Sequence, residues 1–394
     1  MLLLRNAALR LLFLGQALYW SCSLIGITLT SLIGAQLAPL NSLATLPLAL
    51  LVLGNLLAVQ PLSLFMQRHG RRPGLMLGAA CGVAGGLVCA LGVQVGSFWL
   101  LCLGSLPIGA YQASAMYYRF AALEAVGETQ KGRASAYVFG GGVLAALLAP
   151  SLALWSRNAL PTPFVGAYLA IAVLALVGLL TMARLREGAA PRPARSSLAA
   201  MRELLGRPLV RAAIACSAAG HGLMILIMNA TPLAMQFCGL PLKDSVSVIQ
   251  WHILGMFLPA FVAGPLIDRI GSRRVALLGI AILAASAGIA LSGLSTAHFL
   301  VSSLLLGLGW NLLLVAGTTL LGEGHSEAER GQAQGLMEQG NSLMAASMSL
   351  SSGALITSLG WSAVNLLVWP VLLLALTLLW PVWRRPLPEV SDAA

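Results

Sequence analysis

Long apolar segments alternate with short polar stretches along almost the whole chain. Each has about 20 or more residues with few charges, the length that a helix needs to cross a bilayer. Within lipid, an α-helix pairs all its own backbone polar groups, so the pattern predicts an all-α polytopic membrane protein with twelve transmembrane helices. We number these predicted spans 1 to 12, at residues 8–34, 41–66, 74–94, 98–125, 132–156, 163–185, 208–238, 245–267, 275–293, 296–322, 331–359 and 361–383.

The one long polar insert separates span 6 from span 7. Its Pro, Ala, Ser and Arg content is typical of a flexible linker. The sequence therefore predicts an N-terminal six-helix bundle at residues 1–185, a cytoplasmic linker at 186–207 and a C-terminal six-helix bundle at 208–394. Span 1 begins near the first residue and lacks a small-residue cleavage site, so we expect a retained span and not a signal peptide.

Composition and charge sharpen this picture. Only 9% of the residues are charged and 58% are hydrophobic, which excludes the ordinary soluble, secreted and disordered classes. A net charge of +11 would suggest nucleic acid in a soluble protein. Here the basic residues in loops fall on one side of the predicted topology, with only Arg157 and Lys243 on the other. Cytoplasmic loops carry such an excess, so we expect cytoplasmic termini, lipid as the surroundings and no nucleic-acid partner.

Two loops at equivalent places in the predicted bundles have similar sequences. Residues 264–273, after span 8, align without a gap with residues 63–72, after span 2. A weaker repeat relates residues 327–331, after span 10, to residues 128–132, after span 4. Six plus six helices with a parallel repeat are an architecture of secondary transporters.

The loop after span 8 resembles the major facilitator superfamily, whose loop motif is G-x3-D-R-x-G-x-R-R. The matching residues are Gly264, Asp268, Arg269, Gly271, Arg273 and Arg274. The first copy has Arg68, Gly70, Arg71 and Arg72, with Ser63 for the leading Gly and Gln67 for the Asp. The resemblance implies the 6+6 major facilitator fold and a gating role in which the loop pairs with helix ends of the opposite half. A role in topology alone is the alternative, and it carries equal weight for the first copy.

Soft, neutral side chains share one face of span 7. At about 100° per residue, a stripe of roughly 60° holds His221, Met224, Met228 and Met235. Span 8 adds His252 and Met256 one turn apart, and by depth both spans bring such pairs near the bilayer midplane. Thioether and imidazole ligands select Cu(I) over Mg, Ca or Mn, and a neutral site avoids buried charge. Core packing is the alternative for the methionines, and a satisfied structural role is the alternative for His252.

An MxxxM in span 7 followed by an HxxxM in span 8 also resembles the CcoA-like (CalT) bacterial copper importers, a major facilitator subfamily. This resemblance implies import of copper, as Cu(I), across the bacterial inner membrane by alternating access, in support of cbb3-type cytochrome oxidase assembly. The implied metal ligands are Met224, Met228, His252 and Met256. Copper is then the transported substrate, and we expect a monomer without a cofactor.

Other residues extend this metal path in the prediction. Cys216 and Cys238 bracket span 7 where that subfamily's cysteines are expected, but they lie about 33 Å apart along a continuous helix and cannot form a disulfide. Inert thiols are the alternative to a relay. In span 11, one face holds Met337, Asn341, Met344 and Met348. The predicted secondary path is His221, Met235, Met344, Met348, Cys216 and Cys238, with core packing as the favoured alternative for the span 11 methionines.

Charged residues inside the spans are few. Arg119 in span 4 lies near the inner face, and we expect it to snorkel or to pair near Glu124. Glu338 in span 11 also lies near the inner face, so the sequence predicts no carboxylate proton relay at mid-membrane.

Two other classes of function are alternatives to copper import. A carrier of an organic solute such as riboflavin or a drug would form its pocket from aromatic residues, namely Trp20, Tyr111, Tyr117, Tyr118 and Trp251. An intramembrane enzyme is not expected, because the chain shows no Ser/His/Asp arrangement, HExxH motif or mid-membrane carboxylate pair.

Overall fold

The computed structural model describes residues 6–40, 43, 46–127, 130–186 and 198–383, and this part of the chain is helical without strands. The helices are Ala7–Leu37, Leu46–His69, Arg71–Gln94, Phe98–Ala115, Tyr118–Glu124, Lys131–Phe139, Gly142–Arg157, Val165–Ala183, Leu198–Gly206, Pro208–Phe237, Leu242–Phe257, Ala260–Ile270, Ser272–Ser292, Thr296–Glu323, Arg330–Ser358, Gly360–Leu366 and Val368–Trp383.

Helices occupy each of the twelve predicted spans, so the predicted all-α polytopic fold is confirmed. Within the described ranges, ten helical stretches are long and apolar enough to cross a membrane. Spans 4 and 11 are not among them. Span 11 is one helix, Arg330–Ser358, whose buried side chains include several polar ones. Spans 4 and 11 carry Arg119 and Glu338.

The same pairs of spans pack in both halves of the chain. Span 4 packs on spans 2 and 3 as span 10 packs on spans 8 and 9, and spans 1 and 7 each pack on the last two spans of their own half. Between the halves, span 2 meets span 11 and span 5 meets span 8. This arrangement is the structural counterpart of the sequence repeat.

The predicted linker at residues 186–207 ends in a helix, Leu198–Gly206, and Pro208 then opens span 7. Residues 187–197 of that linker lie outside the described residues. The division into two bundles and a linker therefore stays a prediction.

Spans 5 and 8 are each divided into two helices at the level where they meet. Span 5 is interrupted at Gly140 and Gly141. Span 8 is interrupted at Leu258 and Pro259, because proline has no N–H to continue the helical hydrogen bonds. Phe139 and Phe257 are the last residues before these two breaks. A Cβ on Gly142 would lie 2.3 Å from the Phe257 ring, so glycine there gives the ring its space.

Candidate functional site

Both copies of the repeated loop make the same turn. Gly70 and Gly271 end spans 2 and 8 at φ of 99° and 85°, a region that glycine enters at no steric cost. The gap-free alignment of the two loops therefore corresponds to equal backbone geometry.

The second copy of the loop joins the two halves directly. Asp268 forms an ion pair with Arg133 of span 5, with 2.6 Å between its carboxylate and the guanidinium Nε. Beside this pair, a Cβ on Gly264 would lie 2.6 Å from the Arg133 Cα. The leading glycine of the motif thus permits a close crossing of spans 5 and 8.

The first copy of the loop, after span 2, connects the two halves without an acidic side chain. Ser63 donates a hydrogen bond to the Gly331 carbonyl, and Gln67 donates one to the Ala328 carbonyl, both in the opposite half. Gln67 stands at the position of Asp268 and replaces its ion pair by a neutral hydrogen bond.

The motif arginines differ in their surroundings. Arg71 is buried and bonds Glu124 at 2.6 Å, while Arg330 of the other half approaches the same carboxylate at 3.3 Å. At the equivalent place in the second half, Ser272 donates to Glu323. Arg273 is half-buried, and the remaining motif arginines, Arg68, Arg72, Arg269 and Arg274, are exposed.

A buried ion pair deeper in the molecule also crosses between the halves. Arg119 of span 4 pairs with Glu338 of span 11, and the exposed fractions of the two side chains are only 3% and 2%. The expectation that Arg119 snorkels or pairs near Glu124 is therefore wrong, because Glu124 is held by Arg71 and Arg330. Asn341, one turn further along span 11, donates weakly to the same Glu338 carboxylate at 3.4 Å.

An aromatic cluster lies where the two halves meet. Trp20 of span 1 and Phe139 of span 5 face Phe257 of span 8, with ring centroids 5.0 and 5.5 Å from it. Trp310 of span 10 completes the cluster, 5.3 Å from Phe139. His221 of span 7 accepts a hydrogen bond from the Trp310 indole at 3.2 Å. We call Trp20, Phe139, Phe257 and Trp310 the aromatic cluster.

The aromatic pocket predicted from sequence overlaps this cluster only at Trp20. Trp251 is 47% exposed and is not part of the aromatic cluster. Tyr117 donates to the Val59 carbonyl, and Tyr118 packs against Gly15, both within the first half. Tyr111 lines a small cavity of the first half together with Tyr19, Cys22 and Gln112. In the sequence, Gly140 and Gly141 after Phe139, and Pro259 shortly after Phe257, are the signals that mark these two rings as candidates for the site.

The four predicted copper ligands are mostly buried. Met224, His252 and Met256 have exposed fractions of 3%, 2% and 4%, and Met228 is half-buried. The span 8 pair is held against span 10, because His252 Nδ1 lies 2.8 Å from the Ser303 carbonyl and Asn311 donates to the Met256 carbonyl. Among the described residues, no three His, Cys, Asp or Glu side chains lie close enough together to hold a metal ion.

The predicted secondary metal path is made of side chains that pack or bond elsewhere. The Met235 sulfur accepts a hydrogen bond from Ser245. Met344 and Met348 fill the space over Gly222 in span 7. Cys216 is buried and Cys238 is exposed, and both are free thiols. As copper ligands, all these residues stay predictions.

Comparisons with known proteins are consistent with the fold. The Major Facilitator Superfamily profile matches residues 11–251 and 242–394. The riboflavin transporter RfnT of Brucella anthropi is 37% identical over 387 residues, which cover 97% of this chain and 96% of that protein. The MFS-type transporter YdeG of Bacillus subtilis is 28% identical over 91% of this chain and 87% of its own.

Two solved structures show the same fold at low identity. A bacterial homologue of the iron transporter ferroportin, in an outward-facing state, superposes with a TM-score of 0.77 at 14% identity over 96% of this chain and 100% of its own. The human organic anion transporter MFSD10 gives a TM-score of 0.76 at 14% identity, over 95% of this chain and 99% of its own. Together with the profile match along nearly its whole length, these likenesses establish that the chain belongs to the Major Facilitator Superfamily.

Proposed function

We propose that this protein is a carrier of a flat aromatic organic solute of the riboflavin class. The observation that carries the proposal is the aromatic cluster, which is buried between the halves and takes residues from both of them. Aromatic rings bind flat ring systems by stacking, and a carrier that works by alternating access holds its substrate between its halves.

Sequence similarity to a named riboflavin transporter supports the choice of a flavin among organic solutes. A protein named as a riboflavin transporter is 37% identical to this chain over nearly the full length of both. This likeness favours an organic solute over copper as the substrate. None of these relatives is named as a copper transporter.

Copper import is the second candidate, and one observation favours it. Because His252 donates from Nδ1 to the Ser303 carbonyl, its buried Nε2 is an acceptor and has no partner among the described residues. This is the arrangement in which a histidine serves as a metal ligand. The resemblance to the ferroportin homologue adds nothing to it, because 14% identity shows the fold alone.

Riboflavin uptake by cells that lack their own riboflavin synthesis and transport tests the proposal. Expression of this protein is expected to confer uptake. Replacing Trp20→Ala together with Phe257→Ala is expected to lower it on the order of tenfold or more, because two stacking partners are lost. Trp251→Ala, at an exposed tryptophan, is the matched control and is expected to keep uptake. Absence of riboflavin uptake with the protein present in the membrane would overturn the proposal.

Cellular copper measured in the same cells separates the two candidates. The organic-solute proposal expects no change in copper content for Met224→Ala with Met228→Ala or for His252→Ala. A copper importer requires loss of copper uptake in these variants but not in Met182→Ala, a buried methionine of span 6. That second pattern, without riboflavin uptake, would establish copper import instead.

A further inference from the structure

The Arg119–Glu338 pair leaves polar atoms of its neighbourhood without partners. The guanidinium of Arg119 bonds Glu338 through Nη2, while Nε and Nη1 are buried and have no hydrogen-bond partner within the described part of the chain. Asn341 donates its Nδ2 to the same carboxylate, and its buried Oδ1 also has no such partner. Two kinds of free group are therefore present, N–H donors and a carbonyl acceptor.

These free groups belong to one small cluster, because Arg119 and Asn341 hold the same carboxylate between them. Asn341 is 4% exposed, and both charged residues are at least as deeply buried. Leaving such groups unpaired away from water costs free energy, so their retention calls for a partner that pairs with them.

The polar cluster of Arg119, Glu338 and Asn341 lies beside the aromatic cluster. On span 11, Met344 follows Asn341 by about one turn and lies over Gly222 of span 7. The residue next to Gly222, His221, accepts a hydrogen bond from Trp310 of the aromatic cluster. A ligand stacked among the aromatic rings would therefore have its polar edge within reach of Arg119 and Asn341.

The charge balance selects the type of polar edge. Arg119 and Glu338 neutralise each other, so the cluster offers hydrogen bonds without a net charge for an ionic ligand. Carbonyl oxygens of a ligand match the free Arg119 donors, and a ligand N–H matches the free Asn341 Oδ1. An imide, in which an N–H stands between two carbonyls, presents this acceptor–donor–acceptor order, and the pyrimidine ring of a flavin carries it at C2, N3 and C4.

We infer that Arg119 and Asn341 recognise the imide edge of a flat aromatic substrate, with Asn341 Oδ1 accepting from the imide N–H and Arg119 donating to a neighbouring carbonyl. Glu338 positions both residues. This inference rests on the proposed function and adds the group by which the carrier distinguishes its substrate from other flat aromatic compounds.

Competition for uptake of radiolabelled riboflavin tests it. Unlabelled riboflavin and N3-methylriboflavin are compared as competitors, since methylation removes the imide N–H and keeps both carbonyls. On the unchanged protein, the methylated compound is expected to compete on the order of tenfold more weakly, the effect of one buried hydrogen bond with its acceptor left unpaired. In Asn341→Ala, competition by unlabelled riboflavin is expected to weaken by a similar factor. The two compounds should then compete almost equally. Asn229→Ala, at an exposed asparagine of span 7, is the matched control and should keep the tenfold difference.

Each outcome decides the matter. Equal competition by both compounds on the unchanged protein would overturn the imide site and leave riboflavin transport standing, and this comparison does not depend on the folding of a variant. A tenfold difference that persists in Asn341→Ala would overturn the role of Asn341. Absence of riboflavin uptake overturns the proposed function, and this inference with it.

Discussion

At the scale of single residues, the contact between the halves depends on the small size of a few side chains. A Cβ on Gly264 would meet the Arg133 backbone at 2.6 Å, and one on Gly132 would meet the Ile267 side chain at 2.9 Å. The same relation holds for Gly331 and Gln67 in the first copy of the loop. The sequence repeat that relates Gly132 to Gly331 thus marks the two places where the motif helices cross the opposite half.

Gly264→Ala is expected to disfavour the conformation described here. The added methyl group meets backbone, which cannot turn away, so the crossing of spans 5 and 8 must open at a cost of about 2 kcal/mol, a typical cost of overpacking. Labelling of cysteines introduced at this end of the crossing measures the change. Gly353→Ala, which meets nothing within 4 Å, is the control, and equal labelling of the two variants would contradict the prediction.

At the scale of helices, an ion pair ties the start of span 7 to the loop before span 11. Arg207 and Glu329 form two hydrogen bonds of 2.7 and 2.8 Å, and Glu329 also accepts from Ser326. The Arg207 guanidinium lowers the pKa of the Glu329 carboxyl from an ordinary 4.5 to about 2. Because the pKa is lowered in the folded protein, the ionised Glu329 stabilises the fold at pH values above 4.5. This stabilisation is lost as the pH falls from 4.5 towards 2.

Glu329→Gln is expected to lower the Tm of the purified protein at pH 7. Because Arg207 is one-third exposed, solvent weakens the pair and the expected loss is about 1 kcal/mol, or a few degrees. The difference from the unchanged protein should shrink as the pH is lowered through the window between 4.5 and 2. Glu327→Gln, at an exposed position of the same loop, is the control. A Tm difference that grows on acidification would refute this account.

At the scale of the whole molecule, the contacts between the halves concentrate at the end that carries the basic loops. They include Arg133 with Asp268, Arg330 with Glu124, Ser63 with Gly331 and, deeper, Ser342 with Asn55. This end is predicted to face the cytoplasm, so the structure corresponds to a carrier closed on that side. Alternating access requires these contacts to separate.

A disulfide between spans 2 and 11 is expected to stop transport. The Ser342 hydroxyl and the Asn55 side-chain oxygen lie 3.2 Å apart, so Asn55→Cys with Ser342→Cys brings two thiols together. Cys238→Ser removes the exposed native thiol from the background. Oxidation should reduce uptake of the proposed substrate, riboflavin, to background, and reductant should restore it. Uptake by Asn55→Cys alone should be unaffected. Full uptake by a cross-linked carrier would show that this contact need not open.

The sequence by itself determined the membrane class, the positions of the spans and the repeated loop. These features are local, because each helix must satisfy its own backbone in lipid and each turn needs its own glycine. Only the tertiary structure decided which side chains meet. Arg119 and Glu338 are 219 residues apart, and the aromatic cluster draws on four spans, so helical periodicity could not pair them. Periodicity did place methionines and histidines on shared faces, but packing turned His252 towards the Ser303 carbonyl of span 10. In a bundle where most helix faces are covered, the neighbour that covers a face decides the chemistry of its side chains.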